Sequence, residues 1–427
     1  MRENMLIEFN VENFKSLKKE QTLSMEAATT LDDLDYNLID FKDQADKDYQ
    51  LLKSAALYGP NSSGKSNVLD ALMRLKNLVL HSHENQKGDD LLHEPFRFDK
   101  ECVDEPTRFD ITFIKDDIKY NYGLSYTEEK VIEEYLYYYP KGRKSQIFER
   151  KDTARFKFNK DEKEQEMIKG RTRKNVLYLS SSTQFNYDKT ERAFDWFKER
   201  LNGIGPGEHP ELTEFTYKKY DGDETSKKRI QKALKVADFG ISGIKGDIKT
   251  IPVDEIKDLP PELKELGLSD EGELKAMEIQ TVHELEDTEG SLPFFLESEG
   301  TQRFFSLIGP IIKALENGEV LVLDELDTKL HHSLNKFIVE LFHDPGDNPN
   351  GAQLIFTTHN TNLLDQDLFR RDQIWFTEMD PKKGSTDLYS LVEYSPRKDK
   401  DIEKGYLVGR YGAIPFLGDE KILKEER

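Results

Sequence analysis

The sequence predicts an α/β protein: a parallel-sheet core carrying a phosphate-binding loop, with an antiparallel β meander and an inserted helical lobe. Three observations predict it. A glycine-rich loop, Gly59–Ser66, sits between a short apolar segment and a helix-periodic one. A wholly apolar run, Val320–Leu323, ends in two acids, and beyond Gly300 helix and strand patterns alternate in the order of a parallel sheet. The length of 427 residues, at roughly 150 residues per domain, adds that two or three units share the chain.

Near the start, Leu6–Phe14 alternates apolar and polar residues as a half-exposed strand does, while Ser54–Tyr58 is small and apolar like a buried one. The segment that follows, Gly59-Pro60-Asn61-Ser62-Ser63-Gly64-Lys65-Ser66, fits G-x-x-x-x-G-K-[ST] without a mismatch. Immediately after it, Val68, Leu69, Leu72, Leu75, Leu78 and Val79 recur at helical spacing, so the loop ends at a helix N-terminus. Amides without helical partners and the helix dipole favour a phosphate there. Asn61, Ser62, Ser63, Gly64, Lys65, Ser66 and Asn67 are therefore the candidate contacts for ATP, with Lys65 as cation for the β and γ groups and the Ser66 hydroxyl as a ligand for Mg²⁺.

Thr107–Tyr139 is rich in Ile, Phe, Tyr and Thr, with Asp116-Asp117 and Glu128-Glu129 as turns, and reads as the meander. From about Thr190 to Val236 the pattern is helical but broken by Gly203, Gly205, Pro206 and Gly207, which marks a separate lobe. The expected division is residues 1–183 and 297–427 for the two parts of the core, with 184–296 inserted between them.

Ser298 and Gly300 precede a helix whose Phe304, Phe305, Leu307, Ile308, Ile311, Ile312 and Leu315 form an apolar face. Its N-terminus is a second anion site, explained if it caps the γ-phosphate held by another copy of the chain. Val320–Leu323 presents Asp324 and Glu325 at the end of a buried strand, where ligands of parallel sheets bind. Asp324 suits Mg²⁺ and Glu325 suits the orientation of an attacking water. A third apolar strand, Leu354–Thr358, ends in His359, a candidate contact for the γ-phosphate.

Charge bounds the partners. The net charge of −21 repels a polyanion from the molecule as a whole, so nucleic acid could engage only a local patch. Residues 141–174 supply one, at +7, whereas 254–299 carry −12. No apolar run approaches the ~18 residues of a membrane span, and no signal peptide precedes the first strand. With Cys102 the one cysteine, neither an internal disulfide nor a cysteine-rich metal site is expected, and the chain reads as cytoplasmic.

Together these motifs resemble the ABC-type ATPase superfamily, in the branch holding the SMC, RecF and OLD-like ATPases. Within it the chain resembles the RloA/AbiL-like ATPases of phage-defence operons, on Asn13–Leu17, the phosphate loop, Glu299–Thr301, Asp324-Glu325, Thr357–His359, Arg371–Phe376 and Gly405–Pro415. The resemblance implies an ATPase that forms a homodimer, or a higher oligomer, around ATP and Mg²⁺. It implies that Asp327 belongs to a loop reaching across that dimer, and that Gln184 is the glutamine that senses Mg²⁺. The function implied is regulation of an effector partner, a nuclease or another protein, in antiviral defence. The alternative is a RecF-like or Rad50-like DNA-repair ATPase that binds duplex DNA directly.

Overall fold

The computed structural model describes residues 4–44, 46–207, 209–237, 239–252, 273–285, 288–395 and 400–415. The chain forms two compact units, Met1–Pro206 with Ala314–Thr328 and Asn335–Arg427, and Gly207–Lys313 with Lys329–Leu334. Among the described residues, no helix is long and apolar enough to cross a membrane.

The first unit holds the expected α/β core. Its central sheet is made by β5 (Ser54–Tyr58), β11 (Leu201–Ile204), β15 (Val320–Leu323), β16 (Gln353–Thr357), β17 (Ile374–Met379) and β18 (Thr386–Ser390), in the order β11-β15-β16-β5-β17-β18. All neighbours run parallel except the β17–β18 hairpin. Every residue of β5, β15 and β16 is buried, which is why these strands read as unbroken apolar runs. The phosphate-loop strand β5 lies between β16 and β17, so the loop leaves the middle of the sheet.

The second sheet of this unit is antiparallel: β1 (Asn4–Glu12), β2 (Gln21–Ser24), β6 (Thr107–Lys115), β7 (Ile118–Tyr126), β8 (Val131–Tyr138), β9 (Ser145–Lys151) and β10 (Arg155–Phe158), ordered β10-β9-β8-β7-β6-β1-β2. A small hairpin, β3 (Leu38–Lys42) with β4 (Asp48–Leu52), stands apart. The helix Lys65–His81 buries Val68, Leu69, Leu72, Leu75, Leu78 and Val79 in one cluster with Phe9, Phe113 and Tyr122 of the antiparallel sheet and Leu57, Val320 and Ile355 of the parallel sheet. That shared cluster fixes the start of the helix, and hence Lys65 and Ser66, against both sheets.

Residues 184–206, expected with the insertion, pack in the first unit instead. The reason is aromatic burial: a π-helical turn, Trp196–Arg200, stacks Trp196 on Phe113 at 4.3 Å between ring centroids and sets Phe197 edge-on to Phe113 and Tyr122. The turn delivers β11 to the edge of the parallel sheet beside β15. Helical spacing of Ala193, Trp196, Phe197 and Leu201 cannot reveal a four-residue strand that begins at its last member.

The second unit is mixed. Helices Pro210–Gly222 and Glu224–Val236 meet at Asp223, whose carboxylate accepts from the amides of Thr225 and Ser226, both at 2.9 Å. Three antiparallel strands follow, β12 (Ile241–Pro252), β13 (Glu273–Leu285) and β14 (Thr288–Pro293). Much of the −12 segment lies outside the described residues.

Candidate nucleotide site

The phosphate loop is held from behind by hydroxyl groups. Ser63 is buried, its Oγ lies 2.6 Å from Thr377 Oγ1, and its carbonyl accepts from Thr386 Oγ1 at 2.8 Å. Ser16 continues the chain, 2.7 Å from Thr386 Oγ1 and accepting from Asn67 Nδ2 at 2.7 Å. The side chains of Ser63 and Asn67 therefore serve the scaffold, and the loop offers a ligand its backbone amides and Lys65. Gly64 has φ +98°, and a Cβ there would crowd Ser16 Oγ at 2.8 Å as well as Thr386, so only glycine fits. Asn61 and Ser62 are exposed at the loop tip, Ser62 with φ +64°. Ser16, Thr377 and Thr386 escape a reading of motifs because nothing local marks a hydroxyl 314 to 370 residues from its partner.

Lys65 follows Gly64 at the helix start and is buried, its Nζ donating to Gly59 O at 2.8 Å and Pro60 O at 3.1 Å. Burial pushes its pKa down to about 8, and Asp324, Asp327 and Glu325 only partly oppose this. The sign of a pH effect follows: between pH 8 and 10.5 the empty folded protein holds fewer protons here than a solvated lysine does, and an anionic ligand restores the charge. ATP binding should therefore take up about half a proton at this site at pH 8 and close to one by about pH 9, seen as a buffer-dependent binding enthalpy whose contribution from this site vanishes by about pH 6.5. Equal enthalpies in buffers of different ionisation heat at pH 8.5 would contradict it.

One residue on, Ser66 Oγ donates to Asp324 Oδ1 at 3.1 Å, although 258 residues separate them. Asp324 is buried, and the same Oδ1 accepts from Thr357 Oγ1 at 2.5 Å. A hydroxyl and a carboxylate are the hard oxygen donors that Mg²⁺ takes, so this pair fits the ion. Glu325, two residues beyond β15, adopts φ +53°, outside the extended range of a strand. Its amide donates to Thr357 Oγ1 at 2.7 Å, and Thr328 Oγ1 donates to its Oε2 at 3.0 Å.

Asp327 accepts from the backbone amide of His359 at 3.2 Å, tying the loop after β15 to the end of β16. His359 has its pKa lowered, first by burial and then by Lys65, with Asp327, Glu325 and Asp324 opposing; the ring is a neutral hydrogen-bonding group near neutral pH. The structure thus brings Lys65, Ser66, Asp324, Glu325, Asp327 and His359 to the C-terminal ends of adjacent parallel strands, the edge at which such sheets bind ligands.

Ser298 and Gly300 lie in the second unit. Ser298 Oγ accepts from the amide of Thr301 at 3.1 Å and so caps the helix Glu299–Asn317. Gly300 faces Lys329, whose carbonyl oxygen a Cβ would approach to 3.0 Å, and Lys329 Nζ pairs with Glu299 at 3.5 Å.

Gln184 is not brought to the phosphate loop. It is exposed at the end of the helix Tyr178–Gln184, whose start is tied to the far end of the loop helix through Leu177 N to Ser82 Oγ and His83 N to Ser180 Oγ. Sixteen residues of helix, roughly 24 Å, separate Ser66 from Ser82, and the seven residues of the second helix recover at most about 10 Å. Gln184 cannot ligate an ion held by Ser66 in this arrangement, contrary to what the resemblance implies.

Comparison with known proteins adds the family. A family model described as "AAA domain, putative AbiEii toxin, Type IV TA system" matches residues 54–365. Among solved structures, the SMC head domain from Thermotoga maritima is similar at 13% identity and TM-score 0.40, covering 91% of this chain and 99% of that one. The recombination mediator protein RecF bound to ATP is similar at 16% identity and TM-score 0.36, covering 91% and 98%. The cbiO1 protein from Clostridium perfringens, part of an ABC transporter complex, is similar at 11% identity and TM-score 0.31, covering 96% and 95%. No curated protein matches. The family match spans well over half of the chain and contains the phosphate loop, Asp324-Glu325 and His359; the chain therefore belongs to this AAA-domain family of P-loop ATPases.

Proposed function

We propose that the protein is a Mg²⁺-dependent ATPase whose ATP-bound form joins two copies of the chain, and that this closure regulates an effector partner, a nuclease or another protein, in defence against phage. The observation that carries the reading is the contact of Ser66 with Asp324 at the mouth of the phosphate loop, with Glu325 as the next residue. Loop amides and Lys65 hold the phosphates, and Ser66 and Asp324 would hold Mg²⁺, which supplies charge neutralisation at the transferred group. Glu325 orients and polarises the attacking water, and His359 donates a hydrogen bond toward the terminal phosphate. Ser298, Gly300 and Asp327 are offered to the nucleotide of a second copy. The family description names a putative toxin of a type IV toxin–antitoxin system, and the regulatory role in defence rests on the resemblance of the motifs.

Of the basic residues in 141–174, five are engaged within the chain rather than offered to DNA. Arg150 is buried and spends its guanidinium on the carbonyls of Thr153 and Val176, beside Glu134. Lys151, Lys169 and Lys174 pair with Glu149, Glu166 and Glu129, and Lys144 lies over the Tyr137 ring. The test of the enzymatic reading is phosphate release by the purified protein across a Mg²⁺ titration. Turnover that EDTA abolishes is expected, and none at any Mg²⁺ concentration would overturn it.

A further inference from the structure

The motif that ends β16 contains a residue to which neither the phosphate loop nor the acidic pair assigns a task. Thr357 is fully buried at the last position of the strand, one step before the chain turns toward His359. Its hydroxyl makes two bonds at once, accepting from the Glu325 amide at 2.7 Å and donating to Asp324 Oδ1 at 2.5 Å. Its carbonyl accepts from the Leu326 amide at 3.1 Å. One residue thus holds three consecutive positions of the segment that follows β15, Asp324, Glu325 and Leu326.

The two hydroxyl bonds do different things. The proton given to Asp324 joins that of Ser66 on the same oxygen, Oδ1, so this oxygen is occupied by two donors and the carboxylate plane is fixed. The amide received from Glu325 holds a non-glycine residue at φ +53°, a left-handed conformation that persists only where the surroundings impose it. A valine in place of Thr357 keeps the volume and removes both bonds, leaving the backbone of Glu325 to relax toward the extended form. We infer that Thr357 is a positioning residue for ATP hydrolysis, a clasp that sets Glu325 in its catalytic orientation and fixes the plane of Asp324. The inference rests on the proposed ATPase reading.

Two measurements test it, one on the empty protein and one on turnover. Amide hydrogen exchange at Glu325, followed by NMR or mass spectrometry, should accelerate at least about 10-fold in Thr357→Val and stay near wild type in Thr357→Ser, because only valine lacks the acceptor. In steady-state hydrolysis, Thr357→Val should lower kcat by about 10- to 100-fold, with the calorimetric Kd for ATP changed by less than about threefold, and Thr357→Ser should recover most of the loss. Wild-type turnover with Thr357→Val within twofold of it would overturn the inference alone. So would a Kd that rises in step with the loss of kcat, an exchange rate unchanged in the valine variant, or a serine variant as slow as the valine one. Absence of turnover in the wild type would overturn the ATPase reading and the inference with it.

Discussion

Replacing Lys65 by alanine should abolish tight ATP binding while leaving the fold intact. The ammonium is the one cation that the loop encloses, and in the empty protein it is satisfied by the carbonyls of Gly59 and Pro60. Burial weakens its hold on its proton, so the folded chain gains little from the charge itself; the charge is maintained against desolvation for a ligand. Removing one partner of a desolvated, hydrogen-bonded charge pair costs about 2–5 kcal/mol, or roughly 30- to several-thousand-fold in affinity. Calorimetry should show that loss for Lys65→Ala, with a melting temperature within a few degrees of wild type because the apolar face of the helix is untouched. An unchanged Kd for ATP would remove the phosphate loop from the mechanism. A large fall in melting temperature would instead assign the lysine to the fold.

How much of this was legible in the chain depended on whether the signal was local. Ser54–Tyr58, Val320–Leu323 and Leu354–Thr357 are buried on both faces and therefore stand out as apolar runs, and the acids and histidine that end them follow in sequence. The loop motif carries its own geometry, since glycine at 64 and a helix start at 65 are needed for any ligand to reach the amides. The hydroxyl scaffold is different in kind. Ser16, Thr377, Thr386 and Thr357 meet the loop and the acidic corner through contacts between distant segments, and threonine is common in strands for reasons unrelated to a site. Gln184 failed for the converse reason: a resemblance supplied a role, but the residue sits at the exposed end of the helix Tyr178–Gln184, whose other end meets the far end of the loop helix. Arg150, counted with the basic segment, is among the largest fully buried side chains of the described residues, a position that charge counting misses because it does not distinguish a strand's inward from its outward positions.

Glu325→Gln should stop hydrolysis and trap the ATP-bound dimer. The substitution keeps the shape and the Thr328 contact, since an amide oxygen accepts as a carboxylate does, but it removes the negative charge that polarises water. Loss of a group acting on a proton in the transition state lowers turnover by about 10²–10⁴-fold. Binding should survive, because Lys65, Ser66 and Asp324 are unchanged and Asp324 keeps both of its hydroxyl donors. If hydrolysis is what releases two copies from each other, blocking it lengthens the life of the joined state without creating a new contact. Light scattering with ATP and Mg²⁺ should then report twice the monomer mass of 49.6 kDa for Glu325→Gln, and monomer for the same variant with ADP. The measurement separates the parts of the proposal. Normal turnover would show that Glu325 is not the catalytic carboxylate, whereas blocked turnover with ATP bound and a mass that stays at 49.6 kDa would keep the chemistry and refute the paired form. A double variant, Glu325→Gln with Ser298→Arg, then tests the remaining piece: a bulky cation at the cap of the helix Glu299–Asn317 should prevent the dimer and lower the apparent ATP affinity to that of the separate chain, which still binds through Lys65 and Ser66, if that helix end meets the nucleotide of the other copy.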